Sequence, residues 1–232
     1  MRSAPGKWTT ICCRFSLSWS RIFPTGEEDS PYEEGLRFYE QIIDAMRAQG
    51  IQPVVTICHF DLPLALEEKY GSWRSRKAID AYLNYCETIF RRFKGKVRYW
   101  MTFNEINMLM HMPFLGAGIR FREGENREQV LYQAAHHELL ASALATKLAH
   151  EIDPENQVGC MLAGGQYYPY SCRPEDVWDA MEKDRDGYFF VDVQARGAYP
   201  AYALKKLERL GVRLDMQPGN EDILKENTVD FI

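Results

Sequence analysis

No stretch of the 232-residue sequence approaches the roughly 20 consecutive apolar residues that a bilayer span needs. The first residues, Met1 to Lys7, also lack the apolar segment of a secretory leader, so the expected location is the cytoplasm and no membrane partner is expected. The six cysteines (Cys12, Cys13, Cys58, Cys86, Cys160 and Cys172) include no Cys-x-x-Cys pair, which removes the usual zinc spacing and leaves them as reduced core thiols. No long basic stripe occurs and the net charge is -5, so there is nothing with which to neutralise the phosphates of a nucleic acid. Internal repeats, low-complexity segments and linker-like stretches are missing as well. What remains is a chain with 46% hydrophobic and 26% charged residues, enough for one sizeable core and suited to a small-molecule partner.

Short β-rich runs alternate with amphipathic segments, which is the pattern of successive βα units and a parallel sheet. The runs are Thr10 to Trp19, Pro53 to Cys58, Val97 to Phe103 and Gln157 to Ala163, and Val229 to Ile232 begins a fifth. Between them, Leu36, Tyr39, Ile42, Ile43 and Met46 recur at helical spacing before Gly50. Ser75 can cap a second helix whose apolar positions run from Ile79 to Phe93. A long helix spans about Glu128 to Ile152 and breaks at Asp153-Pro154. Pro174, followed by Glu175 and Asp176, opens another, since proline suits the first helical position and acids suit the positive end of the helix dipole.

Polar residues stand directly after three of these runs: Ser20-Arg21, His59 and Asn104-Glu105. In an α/β barrel, chemistry collects at the C-terminal ends of the strands, so an amide and a carboxylate delivered together there read as a pair that holds a substrate hydroxyl and passes it a proton. Each has a plainer reading. Asn104-Glu105 alone could be a helix cap with a first-turn acid, His59 a hydrogen-bonded structural histidine, and Arg14 a buried, paired arginine within an apolar run. His136 and His137, in mid-helix with no Cys or acid at ligand spacing, read as packing or capping residues, and no metal site is expected. Trp19, Trp73, Trp100 and Trp178 could stack on sugar rings, but aromatic residues in such runs are usually core.

Three segments together resemble consecutive signatures of glycoside hydrolase family 1: Arg14-Phe15-Ser16-Leu17-Ser18-Trp19-Ser20-Arg21-Ile22-Phe23-Pro24, Val54-Val55-Thr56-Ile57-Cys58-His59-Phe60-Asp61-Leu62-Pro63, and Thr102-Phe103-Asn104-Glu105. The likeness continues through Arg173-Pro174-Glu175-Asp176 and Gly197-Ala198-Tyr199-Pro200. It implies an α/β fold, a partial TIM (β/α)8 barrel of about five βα units within one domain over 1–232, without the first strand and the C-terminal strands. It also implies roles: Glu105 as general acid/base, Asn104 and His59 as ligands of the sugar hydroxyls, and Arg14 beside the nucleophile. Phe60 stands where members that cleave unphosphorylated β-glucosides carry Trp, and this, with Met181 to Phe190, is most similar to the bacterial 6-phospho-β-glucosidases. The implied activity is retaining hydrolysis of 6-phospho-β-glucosides to glucose 6-phosphate and an aglycone, with no cofactor. The family's nucleophile lies in an Ile-Thr-Glu-Asn-Gly motif that this sequence does not contain. The chain therefore reads as truncated at both ends and inactive alone. The alternative expectation is a catalytically inactive truncated barrel that binds sugar weakly, complements another fragment, or forms oligomers through exposed barrel edges.

Overall fold

The computed structural model describes residues 10–232, so the stretch from Met1 to Lys7 read for a leader lies outside the described residues. Four parallel strands form one sheet in the order β1 (Cys12–Ser16), β2 (Gln52–Cys58), β3 (Tyr99–Phe103), β4 (Gln157–Gly159). Parallel neighbours require crossover connections, and helices supply them. Between β1 and β2 lie α1 (Trp19–Ile22) and α2 (Glu33–Ala48). Between β2 and β3 come α3 (Leu64–Tyr70), a 3-10 turn at Ser72–Arg74 and α4 (Lys77–Arg92). A second 3-10 turn (Ile106–Met110), α5 (Pro113–Ala117) and α6 (Arg127–Ile152) lead to β4. The chain then runs through α7 (Pro174–Arg196), α8 (Ala201–Arg209) and α9 (Asn220–Glu226).

Alternation along each strand sorts the side chains onto two faces. Val55, Ile57 and Trp100 are all but completely buried against the helices, where Trp100 meets Phe90 edge-on at 4.9 Å and donates its indole N–H to Asn156 Oδ1 at 3.1 Å. Thr102 on that same face meets the Ser142 hydroxyl of α6 at 2.8 Å, and Gln194 of α7 donates to that hydroxyl at 2.9 Å, which ties three elements at one buried point. On the opposite face the register Arg14↔Val54 and Thr56↔Met101 lines up Arg14, Ser16, Val54, Thr56, Tyr99 and Met101.

α6 is buried along most of its 26 residues, and its polar side chains are matched accordingly. His136 lies between Tyr199 (2.9 Å from Nδ1) and Asn220 (3.3 Å from Nε2), and His137 Nδ1 faces the Trp73 carbonyl at 2.7 Å. These are packing roles, as the spacing of the two histidines suggested. Glu138 beside them is 2% exposed with Oε2 unpartnered, and burial pushes its carboxyl pKa well above the usual range.

Several element ends differ from the expected ones, each for a local reason. The first strand stops at Ser16 rather than Trp19, because the Trp19 amide is drawn to Asp61 Oδ2 at 2.8 Å and the backbone turns into α1. The fourth ends at Gly159 rather than Ala163, where the Ala163 amide bonds Asn107 Oδ1 at 3.2 Å instead of a neighbouring strand. The fifth is a single parallel bridge, Gly159↔Phe231, in which a Cβ on Gly159 would stand 2.4 Å from the Phe231 ring. Ser75 sits one residue ahead of the assigned cap of α4, yet its hydroxyl does accept the Lys77 amide at 3.2 Å. The cysteines divide: Cys58, Cys86 and Cys160 are buried, but Cys12 and Cys172 are exposed and Cys13 is half-buried, so only three are core thiols. Trp19, Trp73 and Trp100 are core, while Trp178 is 59% exposed on α7. Among the described residues no helix is long and apolar enough to cross a membrane.

Candidate active site

All four residues singled out from the sequence stand at or lead to the C-terminal end of the sheet. Arg14 leaves β1 on the face shared with Thr56, so its guanidinium reaches along that face. Nε donates to Thr56 Oγ1 at 2.8 Å and Nη2 to Asn104 Oδ1 at 2.7 Å. The arginine is paired, as the plain reading held, but exposed rather than buried. Its bond settles the Asn104 amide: with Oδ1 committed to a cation, the NH2 is left to donate to another group. Asn104 itself is 5% exposed, and its backbone N–H extends the β2–β3 ladder by one bond to the Cys58 carbonyl at 2.8 Å.

His59 follows β2 as Asn104 follows β3, and the register Cys58↔Phe103 makes the two neighbours across adjacent strands. Its Nδ1 lies 3.0 Å from Ser16 Oγ on β1, which leaves Nε2 for a ligand. Partial burial, with the nearby charge of Arg14 adding to it, lowers the His59 pKa, while Glu105 opposes the shift. The imidazole is therefore neutral at pH 7 and able to donate or accept.

The backbone bends the same way at both exits. Phe60 after His59 has φ 62°, and Glu105 after Asn104 has φ 49° and ψ 65°. Left-handed backbone at a non-glycine residue costs on the order of 1 kcal/mol or more and persists only where neighbours over-determine it. At Glu105 it turns the half-buried carboxylate away from the strand direction as the 3-10 turn begins, with the Met108 amide bonded to the Glu105 carbonyl at 2.8 Å. The result is one constellation: a cation, a donor amide, a neutral imidazole and a carboxylate, drawn from three strands. It can hold sugar-like hydroxyls and move a proton.

Ser16 and Thr56 complete this arrangement, and the motifs alone did not single them out. The available signal was their place on the Arg14 face at period two. Asn107 is also structural here: it donates to the Ala163 carbonyl at 3.0 Å and accepts from the Ala163 amide at 3.2 Å, closing the connection after β3 onto that after β4. Beyond it lies a cavity of ≈ 430 Å³ lined by Asn107, Ala163, Tyr167, Asp184 and Lys206 among others, which none of the four site residues enters.

Comparison with known proteins identifies the family to which the chain is similar. The model of Glycosyl hydrolase family 1 matches residues 7–232. The 6-phospho-beta-glucosidase AscB of Escherichia coli (strain K12) is 57% identical over 219 residues, covering 94% of this chain and 46% of that protein. The phospho-cellobiase of Klebsiella oxytoca is 46% identical over 221 residues, covering 95% of this chain and 47% of that one. The chain thus spans about half the length of the curated relatives it matches. Among solved structures, the rice Os3BGlu6 beta-glucosidase superposes with a TM-score of 0.83 at 31% identity, over 94% of this chain and 48% of its own. The family 1 b-glucosidase of Thermotoga maritima gives 0.80 at 32% identity, over 95% and 48%. These are TIM barrels, and the parallel sheet with its helices corresponds to part of such a barrel.

Proposed function

Because the chain belongs to glycosyl hydrolase family 1, we propose that it is a portion of a retaining 6-phospho-β-glucosidase, with Glu105 as the general acid/base and Asn104, His59 and Arg14 as groups that bind or orient the sugar. The observation that carries the phosphorylated substrate is the 57% identity to a 6-phospho-beta-glucosidase, against 31% and 32% to the two solved β-glucosidases. The geometry supports the roles. Asn104 presents its NH2 because Arg14 occupies its carbonyl oxygen, and the neighbouring Glu105 carboxylate is turned out of the strand end.

Retaining hydrolysis needs an acid that protonates the leaving oxygen and a second carboxylate that attacks the anomeric carbon, the two roughly 5 to 5.5 Å apart. Glu105 fills the first role and afterwards, as base, activates the water that releases the sugar. The second carboxylate has no counterpart motif in these 232 residues. Alone, the chain binds sugar weakly and does not turn it over.

The test is to incubate the folded chain with a chromogenic aryl β-glucoside 6-phosphate and with its unphosphorylated counterpart. The expected result is no hydrolysis of either, with the phosphorylated compound perturbing NMR signals of Asn104 and His59 more strongly. Hydrolysis of the phosphorylated compound would mean that a nucleophile lies within this chain after all. Stronger perturbation by the unphosphorylated compound would overturn the substrate assignment.

A further inference from the structure

The cavity of ≈ 430 Å³ beyond Asn107 lies among three helices, and none of the catalytic constellation reaches it. Each helix lends it residues one turn apart, which share a helix face: Glu128 and Tyr132 from α6, Asp184 and Tyr188 from α7, Lys206 and Leu210 from α8 and its C-cap. Residues 163–165, after β4, form a further wall. Gly187, also on the wall, is not explained by packing. It stands in the interior of α7, where glycine costs stability relative to alanine, and it has none of the positive φ values that call for glycine. A Cβ at Gly187 would meet no neighbouring side chain or packed element within 4 Å, and Gly165 is open in the same way. Both glycines therefore leave bare backbone on the cavity wall, with room for something to approach it.

The unspent polar groups of the lining are acceptors. Asp184 Oδ1 takes the Tyr167 amide at 2.9 Å and Asp186 Oδ1 takes the Lys206 ammonium, so each carboxylate keeps its Oδ2. Glu128 is half-buried, and among the described residues neither of its oxygens is in a hydrogen bond or ion pair. The two lysines of the lining are already held, Lys206 by Asp186 and Lys183 by Asp179 at 2.9 Å. A phosphate would thus meet three carboxylates against two engaged cations, whereas sugar hydroxyls bring the donors that carboxylates lack. Tyr167 and Tyr188, 53% and 42% exposed, supply rings for the apolar C–H face of a pyranose. An organic cation fits less well, because Lys206 already places an ammonium beside Asp186, 6.0 Å from the Tyr132 ring centre.

We propose that this cavity is a second saccharide site, taking an uncharged sugar against the bare backbone at Gly187, with Glu128, Asp184 and Asp186 accepting its hydroxyls. Its volume falls within the roughly 300–1,000 Å³ of ordinary small-molecule pockets. The ligand is held there and not cleaved, since Glu105 is not part of the lining. The site's preference for uncharged sugar runs opposite to that of the phosphorylated substrate proposed for the catalytic constellation, so the two sites answer to different probes.

The test is an amide NMR titration of the 232-residue chain with cellobiose. The amides of Gly164, Gly165 and Gly187 are expected to shift together and saturably, and glucose 6-phosphate to shift them less. Gly187→Leu, whose side chain fills the space beside the backbone, weakens cellobiose binding at least about tenfold. Gly187→Ala weakens it too while raising the melting temperature, because alanine favours the helix, so the loss is not one of folding. Glu128→Ala costs about tenfold, the worth of one hydrogen bond to a charged acceptor. Shifts confined to Asn104 and His59 would overturn the proposal, as would a cellobiose affinity unchanged in both Gly187→Leu and Glu128→Ala. Choline or glucose 6-phosphate binding beside Gly187 more tightly than cellobiose would overturn the ligand class and the proposal with it. Saturable shifts at Gly187 with none at Asn104 and His59 would support the second site and count against the catalytic assignment alone.

Discussion

Trp19→Ala is expected to lower the unfolding free energy by about 3–5 kcal/mol, close to the whole stability of many domains. The indole is fully buried, stacked on Tyr85 at 5.4 Å and 7°, edge-on to Tyr82 at 5.5 Å and tilted against Trp73 at 6.4 Å. Removing it leaves a hole that its three aromatic neighbours, Tyr82 and Tyr85 on α4 and Trp73 on the 3-10 turn before it, cannot fill without moving apart, since Tyr82 is itself stacked on Phe103 at 4.7 Å. Cavities of this kind cost the lost transfer energy and the lost contacts together. The consequence reaches the site, because this cluster is the floor beneath the ends of β1, β2 and β3. Urea unfolding of the two proteins gives the answer directly. A difference below about 1 kcal/mol would mean that the rings close over the gap and that the floor is not rigid.

The second large effect is hidden in the wild-type pH profile and exposed by substitution. His136 is fully buried between Tyr199 and Asn220, and burial lowers its pKa to about 4. Its folded value is thus below the unfolded value of about 6.5, so its contribution to stability is complete above pH 6.5 and is lost as the pH falls to 4. The amount is about 3 kcal/mol. Asp61 works in the opposite sense. Its folded pKa of about 6 exceeds the unfolded value near 4, so acidification through the same interval returns a stabilisation of similar size. In the wild type these two contributions oppose each other. His136→Gln, which can still bond Tyr199 and Asn220, is expected to become more stable relative to wild type by about 3 kcal/mol between pH 7 and pH 4. Thermal or urea unfolding at the two pH values measures this, and an unchanged difference would mean that His136 takes up its proton in the folded chain as readily as in the unfolded one.

Much of this arrangement was legible in advance, for a definite reason. Apolar runs followed at once by polar residues mark strand exits, and the exits of β2 and β3 are accordingly where the sequence placed them, with His59 and Asn104 next in line. The Arg14–Asn104 bond was not readable, since it joins residues 90 apart and depends on the register of three strands. Ser16 and Thr56 went unnoticed because single hydroxyls in β-rich runs carry no motif, and only the shared face makes them partners of His59 and Arg14. The misplaced ends of the first and fourth strands have one cause: side chains from other connections, Asp61 and Asn107, compete for backbone amides that the local pattern assigns to a ladder. A tertiary hydrogen bond of this type cannot be inferred from the segment it interrupts.

The paired bonds between Asn107 and Ala163 have a mechanical side. An amide that both gives and receives across one residue resists twisting as well as separation, as a two-point hinge pin does, so the connections after β3 and β4 are fastened together at that point. Glu105 lies two residues upstream of this fastening, and Gly164 and Gly165 lie immediately downstream of it. The two bonds therefore anchor the glycine segment at its start to the turn that carries Glu105, so that the wall of the neighbouring cavity and the Glu105 carboxylate share one point of attachment.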